Sequence, residues 1–136
     1  MAILLDNLNI LTWLWHDANV LSLNISWAED GAVSVHLRCK ISPEEDRQPL
    51  LELGINTSIV DTNFHDVFQL KTDIKGYYFP REAVIDWRVI QPSPLIEHLK
   101  SIYPEGVDEL YHHQIQCSGG TILDVVFGEV WLDEVT

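Results

Sequence analysis

The sequence predicts a mainly β member of the α+β class. The expected form is an antiparallel sheet or small β-sandwich of six to seven strands, with one or two short helices, at about 2–15 and 94–103, in a single domain over residues 1–136. Three observations carry this expectation. Two consecutive segments alternate apolar and polar residues with period two, short turn signals separate the apolar runs, and one segment has the start, stripe and stop of a helix.

Taken in order, Leu4, Leu8, Leu11 and Trp15 recur at helical spacing, with Asp6, Asn7 and Asn9 turned away, which predicts an amphipathic helix over about 2–15. In VLSLNISW, Leu21, Leu23, Ile25 and Trp27 alternate with Ser22, Asn24 and Ser26. In VSVHLRCKI, Val33, Val35, Leu37, Cys39 and Ile41 alternate with Ser34, His36, Arg38 and Lys40. Such alternation belongs to half-buried strands, and AEDG between them reads as a hairpin turn. Pairing Trp27 with Val33, Ile25 with Val35, Leu23 with Leu37 and Leu21 with Cys39 keeps every apolar side chain on one face; a one-residue slip would set them against Ser34 and His36.

SPEEDRQP reads as a polar loop and LLELGI as the next strand. DVFQLKTDI reads as a strand with Phe68, Leu70 and Ile74 inward, and AVIDWRVI as one with Ile85, Trp87 and Val89 on one face. In SPLIEHLKSIYP, Ser93 suits the N-cap and Pro94 the first turn, Leu95, Leu99 and Ile102 form a stripe, and Pro104 and Gly106 supply the stop. The chain closes with LYHHQIQC, SGG and TILDVVFGEVWL. A three-residue loop at Ser118–Gly120 pairs Ile115 with Leu123, His113 with Val125, Tyr111 with Phe127 and Gln114 with Asp124. Residues 121–132 are apolar on both faces and read as a central strand, in which Gln114 is the partner offered to Asp124.

Apolar residues make up 46% of the chain and charged residues 21%, ordinary for a globular protein. The balance of charge is not ordinary: 8 Lys and Arg stand against 21 Asp and Glu, a formal −13. After Lys100 no Lys or Arg follows, while Glu105, Asp108, Glu109, Asp124, Glu129, Asp133 and Glu134 do. Nucleic acid and anionic membrane surfaces are therefore poor partners, because both are held by Lys and Arg. A basic protein, or a second copy in a homo-oligomer, is the partner expected. The N-terminus lacks a basic region and a cleavage site, and no apolar run approaches the length of a membrane span, so the expected location is cytoplasmic. Cys39 and Cys117 form no C-x-x-C pair and sit in apolar strand patterns, where two buried thiols are favoured over one long-range disulfide.

Two stretches echo each other: WHDANVLSLNI at 15–25 and FHDVFQLKTDI at 64–74. The adjacent pairs His16-Asp17 and His65-Asp66 resemble the signature dipeptide of the HD phosphohydrolases. Those enzymes are all-helical and draw further ligands from other helices, whereas neighbours on a strand point to opposite faces. The preferred reading makes both pairs structural, each Asp shaping the turn into a strand by bonding backbone N–H groups two residues on. His112-His113, with Cys117 and Asp124 across the SGG hairpin, is the other candidate constellation; it leaves a zinc ligand set incomplete, with His113 on the apolar side. The candidate site residues are thus His16, Asp17, His65, Asp66 and His113. No cofactor and no metal are expected, and no G-x-S-x-G, phosphate-binding glycine loop or H-E-x-x-H is present.

The aromatic-His-Asp-Ala opening at Trp15–Ala18 before a hairpin, the late Ser-Gly-Gly hairpin and the acidic end resemble small, acidic, uncharacterised bacterial β-rich proteins, some near the immunity proteins of toxin systems. The resemblance covers about residues 15–41 and 110–134 and implies an interaction role without assigning one to any residue. The leading expectation is a non-enzymatic acidic interaction module, an immunity-type inhibitor or an oligomer subunit. The alternative is a small-molecule-binding or metal-dependent enzyme using some of its histidines.

Overall fold

The computed structural model describes residues 2–42, 47–75, 79–103, 105 and 109–135. The protein is a small, mainly β, α+β fold built from two antiparallel sheets. One holds five strands: β1 (Ala2–Leu4), β2 (Asn19–Trp27), β3 (Val33–Lys40), β4 (Ile59–His65) and β9 (Glu129–Glu134), in the order β1-β9-β4-β3-β2. The other holds four: β5 (Gln69–Asp73), β6 (Val84–Val89), β7 (Tyr111–Cys117) and β8 (Ile122–Phe127), in the order β5-β8-β7-β6. Three short helices complete it: α1 (Leu11–Leu14), α2 (Gln48–Glu52) and α3 (Pro94–Ile102). The inner faces of the sheets form one core, in which Val35, Leu37, Phe64 and Leu132 of the first sheet meet Trp87, Ile115, Leu123 and Phe127 of the second. Phe64 joins them, with ring centroids 4.9 Å from Phe127 and 6.1 Å from Trp87.

The two sheets share a bent ribbon. β4 pairs with β9 from Val60–Glu134 to His65–Glu129, and β5 pairs with β8 from Gln69–Val126 to Asp73–Ile122. Three residues, Asp66 to Phe68, bridge the first pair of strands, and two, Phe127 and Gly128, bridge the second. The extra residue on one side makes a bulge, and Asp66 takes the left-handed conformation (φ 53°) that bulges and tight bends use. Gly128 faces it: its N–H donates to the His65 carbonyl at 3.1 Å, and an added Cβ would sit 3.1 Å from the Asp66 Cβ. The run 121–132 is therefore not one central strand. It changes sheet at Gly128, because a glycine there lets the two chains approach closely enough to bend together.

The AEDG hairpin forms as expected, with Gly31 at φ 88°, and its register holds from Trp27–Val33 through Leu23–Leu37. It then departs: Val20, not Leu21, pairs with Cys39, and Leu21 is bulged outward. The bulge frees the start of β2 for the other sheet, where Val20 N–H donates to Glu82 and Val84 N–H donates to Ala18. A matching bulge in β6 turns Val84 inward and exposes Ile85, reversing the face expected for Ile85. The SGG hairpin has the expected register throughout, including Gln114 opposite Asp124.

Four other expectations are corrected. Residues 2–15 are not one helix: Ala2–Leu4 pairs with β9, a 3-10 turn follows at Leu8–Ile10, and only Leu11–Leu14 is α-helical. Asn7 stops any longer helix by accepting the Asn9 N–H on its own side chain. LLELGI is not a strand but the end of α2. Pro49 lies in its first turn; Gly54 (φ 84°) donates to Leu51 and Ile55 to Leu50, a Schellman closure sealed by buried Leu50 and Ile55. The strand at Ile59–His65 went unread, because Asp61 and Asn63 on its outer face break the apolar run while Val60, Thr62 and Phe64 point inward. Phe68 and Ile74 are exposed rather than inward, since β5 is an edge strand of the smaller sheet. Residues 43–46 of the expected SPEEDRQP loop, and Pro104 and Gly106 of the expected helix stop, lie outside the described residues.

The two His-Asp echoes have one feature in common. Asp17 and Asp66 are the only described residues other than glycine with positive φ, 63° and 53°. What recurs is thus a backbone bend, not a side-chain cap. Replacing either by Ala is expected to cost about 1 kcal/mol, because Ala tolerates the left-handed region less well than Asp, while Gly at either position stays within about 0.5 kcal/mol of the wild type. Urea denaturation of the four variants checks this; equal losses for Ala and Gly would assign the effect to the carboxylates instead. Val125→Ala and Val126→Ala, both at fully buried positions on opposite faces of β8, are each expected to lose more than about 1 kcal/mol in the same assay.

Candidate functional site

The chemistry-bearing side chains gather on the smaller sheet around β7. Its period of two sends His113, Ile115 and Cys117 into the core and His112, Gln114 and Gln116 to the outer face. On that outer face His112 bonds two residues distant in sequence. Its Nδ1 lies 2.8 Å from Ser93 Oγ and its Nε2 lies 2.7 Å from Asp124 Oδ1. Ser93 also caps α3, accepting the Ile96 N–H at 3.2 Å, and Gln114 Nε2 donates to the same Asp124 oxygen at 3.3 Å. Because the Asp124 carboxylate accepts from Nε2, the proton sits on Nε2, and Nδ1 keeps a lone pair facing the Ser93 hydroxyl. Ser93 and His112 are buried and Asp124 nearly so.

This Ser93–His112–Asp124 line stands at the wall of a cleft of about 480 Å³, whose lining includes Asp6, Gln91, Ser93, Glu97, Lys100 and His112. α3 supplies one wall, since Ser93, Ile96, Glu97 and Lys100 follow one another along a single helical face.

His113 is on the other face. It is fully buried, its Nδ1 accepts the Trp87 indole N–H at 2.8 Å, and it packs edge-on against Phe127 at 5.0 Å. That bond fixes the proton on Nε2, which has no partner among the described residues. Burial, with a smaller contribution from His112, pushes the His113 pKa down to about 4. A ligand role with Cys117 and Asp124 is not what its surroundings support, because Asp124 lies on the opposite face and Nδ1 is already engaged. Burial raises both thiols: Cys117 is pushed up to about 12, with help from Glu82, and Cys39 higher still. Both cysteines are free. The Glu82 carboxylate is itself buried without a hydrogen-bond partner among the described residues, against Gly119 of the SGG turn, where an added Cβ would meet it unless the carboxylate moved.

The remaining candidates stay apart. His16 and Asp17 are exposed and bond each other, Nδ1 to Oδ2 at 3.2 Å, while the Asp17 N–H is tied to Val84 in β6. His65 lies at the far end of β4 against Trp131 and 4.0 Å from Glu129, and Asp66 at the ribbon corner. Among the described residues no group of three or more His, Cys, Asp and Glu could hold a metal ion, and no helix is long and apolar enough to cross a membrane. Sequence reasoning found Gln114 for Asp124 and grouped His112 with His113, Cys117 and Asp124, but favoured His113 as the candidate; His112 is the one that reaches Asp124, lying diagonally across the same register, opposite Val126. The same reasoning read Ser93 only as a cap, and nothing local places Ser93 beside His112.

A second feature is the free edge of the larger sheet. Beyond the Asn19–Ala83 bridge, β2 has no neighbour on its outer side among the described residues. Ile25 and Trp27 belong to the core face, opposite Val35 and Val33, yet they are 42% and 68% exposed because the smaller sheet does not reach over them. Phe68 stands nearby, since the Val67 N–H bonds the Val33 carbonyl.

Geometry and sequence thus define a small β-rich α+β protein with a buried Ser-His-Asp line and one bare apolar edge. Comparison with protein-family models, with curated proteins and with solved structures finds no match to this chain.

His113 sets a pH dependence of stability. The unfolded chain takes up its proton near pH 6.5 and the native state only near pH 4. The unfolded state therefore binds more protons between these values, and stability falls as pH drops through that window, by about 3 kcal/mol from this group. Denaturation midpoints at pH 7, 5.5 and 4 are expected to decline less steeply in His113→Phe than in the wild type; identical slopes would remove His113 as a cause.

Proposed function

We propose that the protein is an acidic interaction module that works as a homo-oligomer subunit, two copies pairing antiparallel along β2 in the cytoplasm. The supporting observation is the composition of that edge. An exposed edge strand offers unpaired backbone groups to other chains, and stable monomers blunt such edges with charge, bulges or brevity. Among the described residues the other edges are short or charged: β1 has three residues, β5 carries Lys71 and Asp73, and β6 carries Asp86 and Arg88, whereas β2 has a bulge at Leu21 near its start and an unbroken run from Ser22 to Trp27. β2 is nine residues long without one charge, a span of about 30 Å. Antiparallel self-pairing centred on Asn24 sets Leu23 against Ile25 of the second copy, with no like charges opposed. A second copy suits this edge better than a basic partner does, because nothing acidic lies along the strand to attract one.

The acid-rich faces remain open in such a dimer, and with a net −13 they suit a basic protein and disfavour nucleic acid. That agrees with the interaction role implied by the resemblance to proteins near toxin-immunity families. Two free, buried thiols accord with a reducing compartment.

Light scattering after size exclusion, at 10–500 μM protein, tests the pairing. The expected mass is twice the 15.6 kDa chain. Added salt is expected to tighten the dimer, because it screens repulsion between two acidic chains while leaving apolar burial intact. Ile25→Lys and Trp27→Lys, at exposed positions, are expected to give a folded monomer. A wild type that stays monomeric at all these concentrations, or a dimer indifferent to both substitutions, overturns the reading.

A further inference from the structure

We propose that Ser93, His112 and Asp124 form an acyl-transfer site that hydrolyses small neutral esters bound in the cleft between α3 and the chain around Asp6. This is an activity separate from pairing along β2. The three residues have the connectivity of a nucleophile, a general base and the carboxylate that orients it, a combination recognised by geometry and not by sequence position. Ser93 Oγ is 2.8 Å from His112 Nδ1, and His112 Nε2 is 2.7 Å from Asp124 Oδ1. The ring nitrogens are exchanged relative to the familiar serine-protease arrangement, but the proton path is equivalent: Asp124 holds Nε2–H, and Nδ1 is left to take the serine proton.

Three further features suit the chemistry. Ser93 Oγ already accepts the Ile96 N–H, so its own hydrogen is the one directed to His112. It stands at the N-terminus of a nine-residue helix, where the positive end of the helix dipole favours a developing alkoxide. The residue after it is Pro94, which has no N–H, so the donor that commonly follows a nucleophile is missing; the cleft side chains able to donate to an oxyanion include Asn7, Asn9, Gln91 and Lys100. The volume of about 480 Å³ admits a small ligand, and Asp6 and Glu97 opposing the single Lys100 favour a neutral one.

The step balances without a co-reactant other than water. Ser93 Oγ bonds to the ester carbonyl carbon and its proton passes to His112 Nδ1. The carbon–oxygen bond to the alcohol breaks, and the alcohol leaves with that proton. Water then attacks the acyl-serine, gives a proton to Nδ1, and the acid departs as Ser93 recovers its hydrogen. Ser93 and His112 are the catalytic residues; Asp124 is a positioning residue. No local motif announces this site, because its members come from a helix cap and two strands.

Diisopropyl fluorophosphate and p-nitrophenyl acetate are the probes. Intact mass and peptide mapping are expected to show one phosphoryl group, on Ser93, and the labelled protein is expected to lose its esterase activity. Ser93→Asn keeps a strong helix cap but no nucleophile; it is expected to hold its thermal midpoint near the wild type and to lose both labelling and turnover. Asp124→Asn is expected to slow labelling by about 10³-fold, with an altered pH profile, as loss of the correct imidazole tautomer does in such relays. A folded wild type that takes no label, a label on another residue, or nitrophenyl acetate turnover undiminished in Ser93→Asn overturns the proposal. Should Ser93→Asn fail to fold, the position of the wild-type label decides alone.

Discussion

The close approach of Gly128 to Asp66 is the constraint on which the architecture depends. At that point two paired strands leave one sheet together and enter the other. Neither chain can bend alone without breaking the ladder it shares with its partner. The left-handed turn at Asp66 absorbs the extra residue on one side, and the missing side chain of Gly128 makes room on the other. With that corner in place, β9 lies between β1 and β4, β8 lies between β5 and β7, and the inner faces of both sheets meet around Phe64. A bulge at Leu21 and another at Ile85 then bring the starts of β2 and β6 together on the opposite side, where backbone bonds close the sandwich without a continuous ladder.

Closing one end of β2 against β6 has a cost at its other end. Strands in a twisted sheet diverge from the layer beneath, so a strand fixed at Asn19 has little beneath it by Trp27. The core face is left uncovered where the hairpin extends furthest. The ion pairs are placed elsewhere: Arg38 with Asp61 spans β3 and β4, and Arg88 with Asp86 marks the edge of β6. Exposed pairs of this kind contribute little stability.

Much of the β framework was legible in the sequence because period two is a local property. Both hairpins and nearly all their cross-strand partners follow from alternation plus turn residues, and Ser93 and Pro94 announce the start of α3. The failures have physical causes. Leu21 obeys the alternation and is still expelled, because the demand that moves it comes from β6, some sixty residues away in the chain. The pattern of LLELGI fits strand and helix alike; Pro49 before it and Gly54 within it held the deciding information. The His112 line was half visible. Gln114 opposite Asp124 follows from the hairpin, and His112 is one diagonal step further, but Ser93 arrives through the docking of a helix that no local rule positions. The echoed His-Asp pairs share a backbone conformation, positive φ at Asp17 and Asp66, which alternation and spacing do not announce.

The bent ribbon also governs when the fold can exist during synthesis. β4 and β5 leave the ribosome early, yet their ribbon partners, β9 and β8, are the last elements made, about 50–75 residues later. Until then both sheets lack an interior strand, and the larger one consists of a hairpin, β4 and an unattached β1. Local hairpins can form in microseconds, but the core waits for these long-range pairings. Until β8 and β9 are made, the nascent chain therefore exposes apolar faces that the finished sheets cover.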